Sequence, residues 1–197
     1  KDRQELQKAV DELLACNPFE IPVIIDGQEF RSGKLAKQVN PGDHAQAVCY
    51  YHEADERMVN IAIEGALKAK KQWMNMPWSE RAAISMKAAD LIAHKYRYQL
   101  LAATIVGQGK NVWQAEIDAG AEICDFLRFG VKYVDDMYQI QPPRNSPGVW
   151  NRTEYRPLEG FVLAISPFNF TAIAGNLVMT PAMVGNCLLY TSDAADD

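Results

Sequence analysis

The stretch that decides the fold is EGFVLAISPFNFTAIAGN, from Glu159 to Asn176. Its residues 161–165 are an unbroken run of apolar, strand-forming residues, which predicts a strand buried on both faces. Pro167 ends that strand, because proline has no N–H to donate to a neighbouring strand. From Thr171 onward the apolar residues follow a helical spacing until Gly185, where we expect the helix to stop.

A second strand is predicted from Cys187 to Tyr190, and it completes a strand–helix–strand unit. In a parallel sheet, ligands bind at the carboxyl ends of the strands. Residues 166–169 lie at that end of the first strand, between the strand and the helix. The sequence therefore predicts a functional site at the turn that these four residues form.

The same stretch resembles the corresponding segment of the aldehyde dehydrogenases. Its Ser-Pro-Phe-Asn-Phe form, at residues 166–170, resembles the members that oxidise L-glutamate γ-semialdehyde (Δ1-pyrroline-5-carboxylate) to glutamate in proline catabolism. A second block supports the resemblance, with VGQGK at 106–110, QAEID at 114–118 and AEICDFLRF at 121–129. The resemblance implies an α/β fold, namely the N-terminal part of an aldehyde-dehydrogenase-like fold with a helical layer and the start of a parallel Rossmann-like sheet. It also implies NAD as the cofactor and a small-molecule aldehyde as the substrate.

The chain divides into four segments. Residues 1–54 are predicted to form an N-terminal helix and a meander of strands, and residues 55–148 the helical part of a cofactor-binding domain that ends in a proline-rich linker. Asp55 and Ser79 are the expected N-caps of two of its helices. Residues 149–189 are predicted to hold a hairpin strand, at 149–156, and the first βαβ unit of the NAD-binding sheet. Residues 190–197, YTSDAADD, are expected to be a non-native tail.

Composition excludes several classes of function. The 197 residues are 48% hydrophobic and 23% charged, with a net charge of −5, which is typical of a globular protein. The lack of a long basic run argues against a nucleic-acid partner, and no stretch approaches the roughly 18 apolar residues of a membrane span. No targeting segment is visible, so the family resemblance indicates the cytoplasm of a bacterium or the mitochondrial matrix of a eukaryote.

The cysteines and histidines show no spacing that is typical of a metal site. The four cysteines, at positions 16, 49, 124 and 187, are scattered without a CxxC pair, and we expect reduced structural thiols. The three histidines, at positions 44, 52 and 94, share no motif either, so we expect no metal ligand among them.

Asn169 is the first candidate for chemistry. In an aldehyde dehydrogenase a thiolate attacks the aldehyde carbon, and negative charge develops on the carbonyl oxygen. A side-chain amide N–H directed at that oxygen stabilises it, and the loss of one such donor costs about 3 kcal/mol. The resemblance assigns this catalytic role to Asn169. The alternative is that an asparagine after Pro-Phe only satisfies the hydrogen bonds of a turn.

Four further residues are candidates through the same resemblance. Ser166 is expected to contact NAD, and a serine here could also cap the following helix, since the two roles are compatible. Phe168 is expected to line the cleft between nicotinamide and substrate, or else to belong to the core. Glu122 and Phe126 are expected to line the aldehyde pocket, with Phe126 as a packing wall. The other acidic residues of that helix, Glu116, Asp118 and Asp125, are expected to be solvated surface charges.

The resemblance also indicates parts that these 197 residues do not contain. They are a Trp-Lys-Pro-Ser segment whose lysine binds the ribose of NAD, a general-base glutamate, and a nucleophilic cysteine within its motif. We therefore expect an N-terminal portion that is inactive alone and that belongs to a homo-oligomer when intact. Two alternatives stay open: a dehydrogenase portion acting on another aldehyde, and a non-catalytic interaction module that uses residues 149–156 as its contact.

Overall fold

The computed structural model describes residues 1–192 and has a mixed α/β architecture. The helices are α1 (Asp2–Ala15), α2 (Glu56–Asn75), α3 (Trp78–Ala93), α4 (Arg97–Gln108), α5 (Val112–Ala115), a π-helical segment (Glu116–Glu122), α6 (Ile123–Tyr138) and α7 (Thr171–Met183). The strands are β1 (Phe19–Ile21), β2 (Val23–Ile25), β3 (Gln28–Phe30), β4 (Leu35–Asn40), β5 (Asp43–His52), β6 (Val162–Ser166) and β7 (Leu188–Ser192).

The N-terminal strands form two small sheets. Strand β5 lies at the centre of a three-stranded sheet, parallel to β1 and antiparallel to β4. Strands β2 and β3 form a separate hairpin. Its turn residues, Asp26 and Gly27, have φ values of 51° and 73°, and two consecutive positive φ angles are typical of a type I′ hairpin turn.

Strands β6 and β7 are parallel and are joined through α7, which confirms the predicted strand–helix–strand unit. The prediction of a strand buried on both faces is wrong for the described residues. Ala164 and Ser166 are buried, whereas Leu163 and Ile165, on the opposite face, are each 54% exposed. The physical reason is that the sheet has only two strands and that α7 packs against it, which leaves Leu163 and Ile165 in contact with solvent.

Helices α3, α6 and α7 pack around the larger of two apolar clusters. Its buried members are Ala89, Ile123, Cys124, Leu127, Val134, Ala172 and Met183. Two glycines permit the close approach of α6 to α7. A Cβ at Gly175 would lie 2.7 Å from Ile123 Cδ1, and a Cβ at Gly130 would lie 2.8 Å from Met183 Cε. A smaller cluster joins α1, α4, α5 and the π-helical segment through Leu6, Leu101, Ala115 and Ala119.

A buried arginine in α3 connects the C-terminal ends of α2 and α7. Arg81, in α3, is 5% exposed, and its guanidinium donates to the carbonyl oxygens of Trp73 (3.3 Å), Met76 and Met183 (3.0 Å). These carbonyls belong to the C-terminal ends of α2 and α7, where the helix dipole favours a cation. The guanidinium therefore holds the ends of two helices against a third.

The structure confirms one of the two predicted helix caps. Asp55 caps α2 as predicted, since its carboxylate accepts a hydrogen bond of 2.7 Å from the Met58 N–H. The predicted cap at Ser79 is wrong, because α3 begins at Trp78 with Pro77 at the N-cap, two residues before Ser79. The fixed φ of proline suits a helix start, so no side-chain cap is required there.

The predicted strand at residues 149–156 is also absent from the described residues. This segment has no regular secondary structure and no strand partner. Instead, the side-chain amide of Gln141 accepts from the Thr153 N–H (3.0 Å) and donates to the Thr153 carbonyl (3.2 Å). A side chain therefore satisfies the backbone groups that a neighbouring strand would otherwise bond.

The tail that the sequence predicts at 190–197 is described only in part. Residues 190–192 continue β7, with Ser192 opposite Ser166 in the register, and the remaining five residues lie outside the described range. Its non-native origin stays a prediction. Among the described residues, none of the helices combines the length and apolar character that a membrane crossing requires.

Candidate active site at the end of strand β6

Asn169 lies on the turn between β6 and α7 and is exposed to solvent. Its backbone carbonyl accepts a hydrogen bond of 2.6 Å from the ammonium of Lys110. Its side-chain amide forms no hydrogen bond with any residue in the range 1–192. The alternative role, in which the asparagine side chain satisfies the turn, therefore has no support in the geometry. The amide N–H remains available to a ligand.

The first turn of α7 is capped by a carboxylate from the π-helical segment. Asp118 accepts hydrogen bonds from the N–H groups of Thr171 (3.0 Å) and Ala172 (2.7 Å). The first N–H groups of a helix have no partner within the helix, and the positive end of the helix dipole favours an anion. Asp118 is 2% exposed, so it caps α7 from within the protein.

Lys110 balances the charge of Asp118. Its ammonium lies 2.8 Å from Asp118 Oδ2 and 4.1 Å from the centre of the Phe170 ring, in addition to its bond with the Asn169 carbonyl. The lysine side chain is 15% exposed and the aspartate side chain 3% exposed. The turn that carries Asn169 is therefore held by a nearly buried ion pair.

The end of α4 adds two neutral contacts to the same place. The hydroxyl of Thr171 lies 2.8 Å from the Thr104 hydroxyl and accepts from the Gln108 side-chain amide at 3.0 Å. Gly109 ends α4 in the left-handed conformation, with φ 64°, which turns the chain so that Lys110 follows directly. Helix α4 thus positions both Lys110 and the α7 N-terminus.

The π-helical segment explains how Asp118 reaches α7. Such segments widen the helix and leave backbone carbonyls without their usual partners. Arg97 compensates here, because its guanidinium donates to the Gly120 carbonyl at 3.3 Å and also pairs with Glu116. Asp118 lies between Glu116 and Gly120 in the sequence, and its carboxylate accepts hydrogen bonds from the first turn of α7.

Ser166 and Phe168 lie at the predicted strand end but differ in their surroundings. Ser166 is buried, and its hydroxyl donates to the Thr191 carbonyl at 3.5 Å, so it does not cap the helix. The capping alternative for Ser166 is therefore wrong, since Asp118 takes that role. Phe168 is 53% exposed and is not part of either apolar cluster, so the alternative role as a core aromatic is also wrong.

Glu122 and Phe126 lie on the helix that packs beside α7. Glu122 ends the π-helical segment and is half-buried, and its carboxylate has no hydrogen bond or ion pair with residues 1–192. Phe126 is half-buried against the larger apolar cluster. Asp118 and Glu122 are four residues apart, so Glu122 lies about one turn beyond the cap of α7.

Asp118 and Lys110 are the site residues that sequence reasoning missed. Asp118 was expected to be a solvated charge, and the structure buries it. A signal for this is present in the sequence: Asp118 falls within the apolar stripe formed by Ala115, Ala119 and Ile123, and such a stripe faces the core rather than the solvent. A charged residue in an apolar stripe is buried with a partner, and Lys110 supplies it.

None of the four cysteines has surroundings that would activate its thiol as a nucleophile. Cys49, Cys124 and Cys187 are buried, and burial raises the pKa of the Cys49 and Cys124 thiols. A raised pKa keeps a thiol protonated, whereas nucleophilic attack requires the thiolate. Cys16 is exposed, and its thiol donates to the Leu13 carbonyl within α1. Among the described residues, no group of three or more His, Cys, Asp or Glu side chains is arranged to hold a metal ion.

Comparison with known proteins finds similar sequences over nearly the whole chain. Delta-1-pyrroline-5-carboxylate dehydrogenase from Agaricus bisporus is 59% identical over 189 residues, which are 96% of this chain and 35% of that protein. The mitochondrial enzyme of the same name from Emericella nidulans is 53% identical, over 96% of this chain and 33% of its own length. The chain thus spans about a third of the length of these relatives.

Solved structures give the same result. The crystal structure of the Delta-pyrroline-5-carboxylate dehydrogenase from Mycobacterium tuberculosis superposes with a TM-score of 0.94 at 41% identity, covering 98% of this chain and 36% of that one. The structure of that enzyme bound with NAD superposes with a TM-score of 0.93 at 41% identity, covering 97% and 36%. Residues 28–194 match the model of the aldehyde dehydrogenase family. The chain therefore belongs to the aldehyde dehydrogenase family.

Proposed function

We propose that this chain supplies the oxyanion-binding amide and part of the cofactor cleft of an NAD-dependent dehydrogenase that oxidises L-glutamate γ-semialdehyde to L-glutamate in proline catabolism. The observation that carries the proposal is the contrast at Asn169. Its carbonyl is bonded to Lys110, whereas its side-chain amide is exposed and has no partner among the described residues. Such an amide is suited to donate to a ligand. The similarity to Delta-1-pyrroline-5-carboxylate dehydrogenases supports this substrate over other aldehydes.

The chemistry that Asn169 would serve is the attack of a thiolate on the aldehyde carbon. As the new bond forms, the carbonyl oxygen gains negative charge, and an amide N–H that is already in place stabilises that charge without reorganising. The thiolate does not come from Cys49, Cys124 or Cys187, because these side chains are buried. The fourth cysteine, Cys16, lies at the end of α1, and we propose that the described residues supply the electrostatic part of the reaction and not the nucleophile.

The cofactor cleft would use the carboxyl end of β6. The exposed ring of Phe168 offers a flat apolar surface for nicotinamide, while the hydroxyl of Ser166 is engaged with β7, which leaves the backbone at this strand end for the cofactor contact. A bound NAD contributes the acceptor for the hydride that leaves the substrate carbon.

The N-terminus of α7 does not fit the phosphates of NAD. A helix N-terminus commonly binds phosphate through its free N–H groups. Here the Thr171 and Ala172 N–H groups already donate to Asp118, and the carboxylate would repel a phosphate. We infer that the ring end of the cofactor lies near Phe168 and that its pyrophosphate is bound elsewhere in the protein.

Glu122 and Phe126 are proposed to line the aldehyde pocket. A half-buried carboxylate without a partner among the described residues is available for a substrate group or for a residue outside this range. Phe126 supports it from the apolar cluster. The amino group of L-glutamate γ-semialdehyde carries a positive charge, which a carboxylate on the pocket wall would attract.

We propose that the 197 residues alone are inactive and that the intact protein is a homo-oligomer. The surface at residues 149–158 supports the second point, because Val149, Trp150 and Leu158 are 56%, 81% and 66% exposed. Exposed apolar side chains that cluster along one segment favour a protein contact. The mitochondrial names of the eukaryotic relatives support the mitochondrial matrix if the source is a eukaryote.

The test is a chimera in which the matched residues of this chain replace the corresponding third of the Agaricus bisporus enzyme, at 59% identity. The chimera is expected to form NADH with L-glutamate γ-semialdehyde, and Asn169→Ala is expected to lower kcat by about 10²- to 10³-fold. Asn60→Ala, which changes an exposed asparagine on α2, is the matched control and should leave kcat unchanged. An inactive chimera that folds and binds NAD, or an Asn169→Ala chimera with full kcat, would refute the proposal.

The exposed Trp150 also favours a second candidate, a non-catalytic module that pairs with full-length subunits. Mixing the 197-residue chain with the full-length Agaricus bisporus enzyme tests this pairing. Co-elution with that enzyme, lost on Trp150→Ser and kept on Trp113→Ser, would favour the module if the chimera described above is inactive. Separate elution of the two proteins would argue against it.

A further inference from the structure

Charged groups hold the backbone at and directly after Asn169. The Asn169 carbonyl accepts from Lys110 at 2.6 Å, and the N–H groups of Thr171 and Ala172 donate to Asp118 at 3.0 and 2.7 Å. Only Phe170 lies between these anchors, and its ring packs under the Lys110 ammonium. Hydrogen bonds in which one partner is ionised are about twice as strong as neutral ones. The backbone around Asn169 is therefore fixed at three peptide units in succession.

Stability alone explains such a pair poorly. Lys110 and Asp118 are 15% and 3% exposed, and the loss of hydration largely offsets the attraction between two buried charges. A neutral side chain could cap α7 at a lower cost in desolvation. The Lys110 ammonium that pairs with Asp118 also donates a hydrogen bond to the Asn169 carbonyl. A neutral cap of α7 would not provide this hydrogen bond.

We propose that Lys110 and Asp118 are positioning residues for Asn169. By fixing its peptide units, they hold its side-chain amide where the oxyanion develops. This inference rests on the proposed role of Asn169 as the oxyanion donor. Neither Lys110 nor Asp118 touches the substrate, and both act through the turn that they anchor.

The position of such a donor matters because the interaction acts only in the transition state. A displacement of about 1 Å in a reacting group can lower the rate by about 10²-fold. Binding of the ground-state aldehyde depends little on the amide, so the substrate KM should change little. The signature of a positioning role is therefore a fall in kcat at nearly constant KM.

The first arm of the test uses the full-length chimera described above. Lys110→Met keeps the aliphatic stem but removes all three donors, and kcat is expected to fall by about 10²-fold with KM within about threefold. Lys110→Arg restores charged donors and is expected to recover part of kcat. The matched control is Lys132→Met, which removes a lysine from an exposed pair with Asp136 on α6. Loss of KM and kcat together, or no rescue by arginine, would overturn the proposal.

A double-mutant cycle separates positioning from a general structural role. If Lys110 acts through Asn169, then Lys110→Met should cost less than about threefold in kcat when Asn169 is already alanine. A purely structural lysine would lower kcat by the same factor in both backgrounds, and that result would overturn the proposal. An Asn169→Ala chimera that keeps its full kcat would instead refute the proposed function.

The last arm needs no activity and uses the 197-residue chain itself. Lys110→Met leaves the buried Asp118 carboxylate unpaired, so the first turn of α7 should open more often. Hydrogen exchange at the Thr171 and Ala172 amides is expected to become at least about tenfold faster, while Lys132→Met leaves it unchanged. Equal exchange in both variants would show that the ion pair does not hold the turn.

Discussion

The contact between α6 and α7 can be tested by adding one methyl group. In Gly175→Ala the new Cβ would lie 2.7 Å from Ile123 Cδ1 and 3.2 Å from Ile123 Cγ1, whereas carbon atoms in contact are ordinarily about 3.5 to 4.0 Å apart. Rotation about χ2 can turn Cδ1 aside, but an isoleucine in a helix has essentially one χ1 rotamer, so Cγ1 stays in place and the 3.2 Å contact must be relieved by a shift of the two helices. Such overpacking costs about 1 to 3 kcal/mol, and the gain from replacing a helical glycine is about 1 kcal/mol.

Gly130→Ala is the matched control at the same interface. Its new Cβ would meet Met183 Cε at 2.8 Å and Sδ at 3.3 Å, but methionine has three rotatable bonds and can move its end away. The helix gain of about 1 kcal/mol should then dominate, so Gly130→Ala is expected to be neutral or stabilising. The gain is common to both variants, so we expect the free energy of unfolding to be lower for Gly175→Ala than for Gly130→Ala by the overpacking cost, about 1 to 3 kcal/mol.

Urea denaturation followed by circular dichroism measures this difference directly, provided that the slopes of the two transitions are equal. A second comparison tests the contribution of Cδ1. Ile123→Val removes this atom, and alone it should cost about 0.5 to 1.5 kcal/mol, but in the Gly175→Ala background it should restore part of the stability. Equal stability of the two alanine variants, or no recovery on Ile123→Val, would refute the packing argument.

Two further predictions concern the titratable groups. The hydrogen bond from His52 lowers the pKa of Glu20 below its usual value of 4.5. The stability that this pair contributes is therefore present above pH 4.5, and it is lost as the pH falls through the lowered pKa. The melting temperature of Glu20→Gln should therefore depend less on pH between about 5 and 3 than that of the wild type or of Glu64→Gln, and parallel curves would contradict this. For the thiols, iodoacetamide at neutral pH should label the exposed Cys16 and spare the buried cysteines until urea unfolds the chain; these are Cys49, Cys124 and Cys187. Rapid labelling of any buried thiol, read by mass spectrometry of peptides, would show that its surroundings open readily.

Much of the fold could be predicted because local signals agreed with the final contacts. The apolar run at 161–165, the proline after it and the helical spacing from Thr171 each specify one element of the β6–α7–β7 unit. Asp26-Gly27 specifies a hairpin turn, and Asp55 specifies the start of a helix. In all of these, a few neighbouring residues determine the backbone, and no distant contact overrides them.

The predictions that failed depend on distant partners. Residues 149–156 have strand-like alternation, but pairing requires a second strand, and the side chain of Gln141 supplies their hydrogen bonds instead. The exposed face of β6 likewise depends on which elements cover the sheet, and the apolar run alone does not reveal this. Asp118 was misjudged for a similar reason, since its partners at Thr171 and Ala172 are more than 50 residues away in sequence.

The groups that hold the turn at the end of β6 differ from the Asn169 side chain in their contacts. Lys110, Asp118 and the hydroxyl of Thr171 are all engaged within the described residues, whereas the Asn169 amide is not. Buried polar groups are normally satisfied within the fold, whereas an exposed amide can bond to water or to a ligand. We propose that a ligand of the Asn169 amide, rather than the stability of the turn, accounts for the cost of the buried ion pair. This contrast does not depend on the family resemblance, and it leads to the same residue.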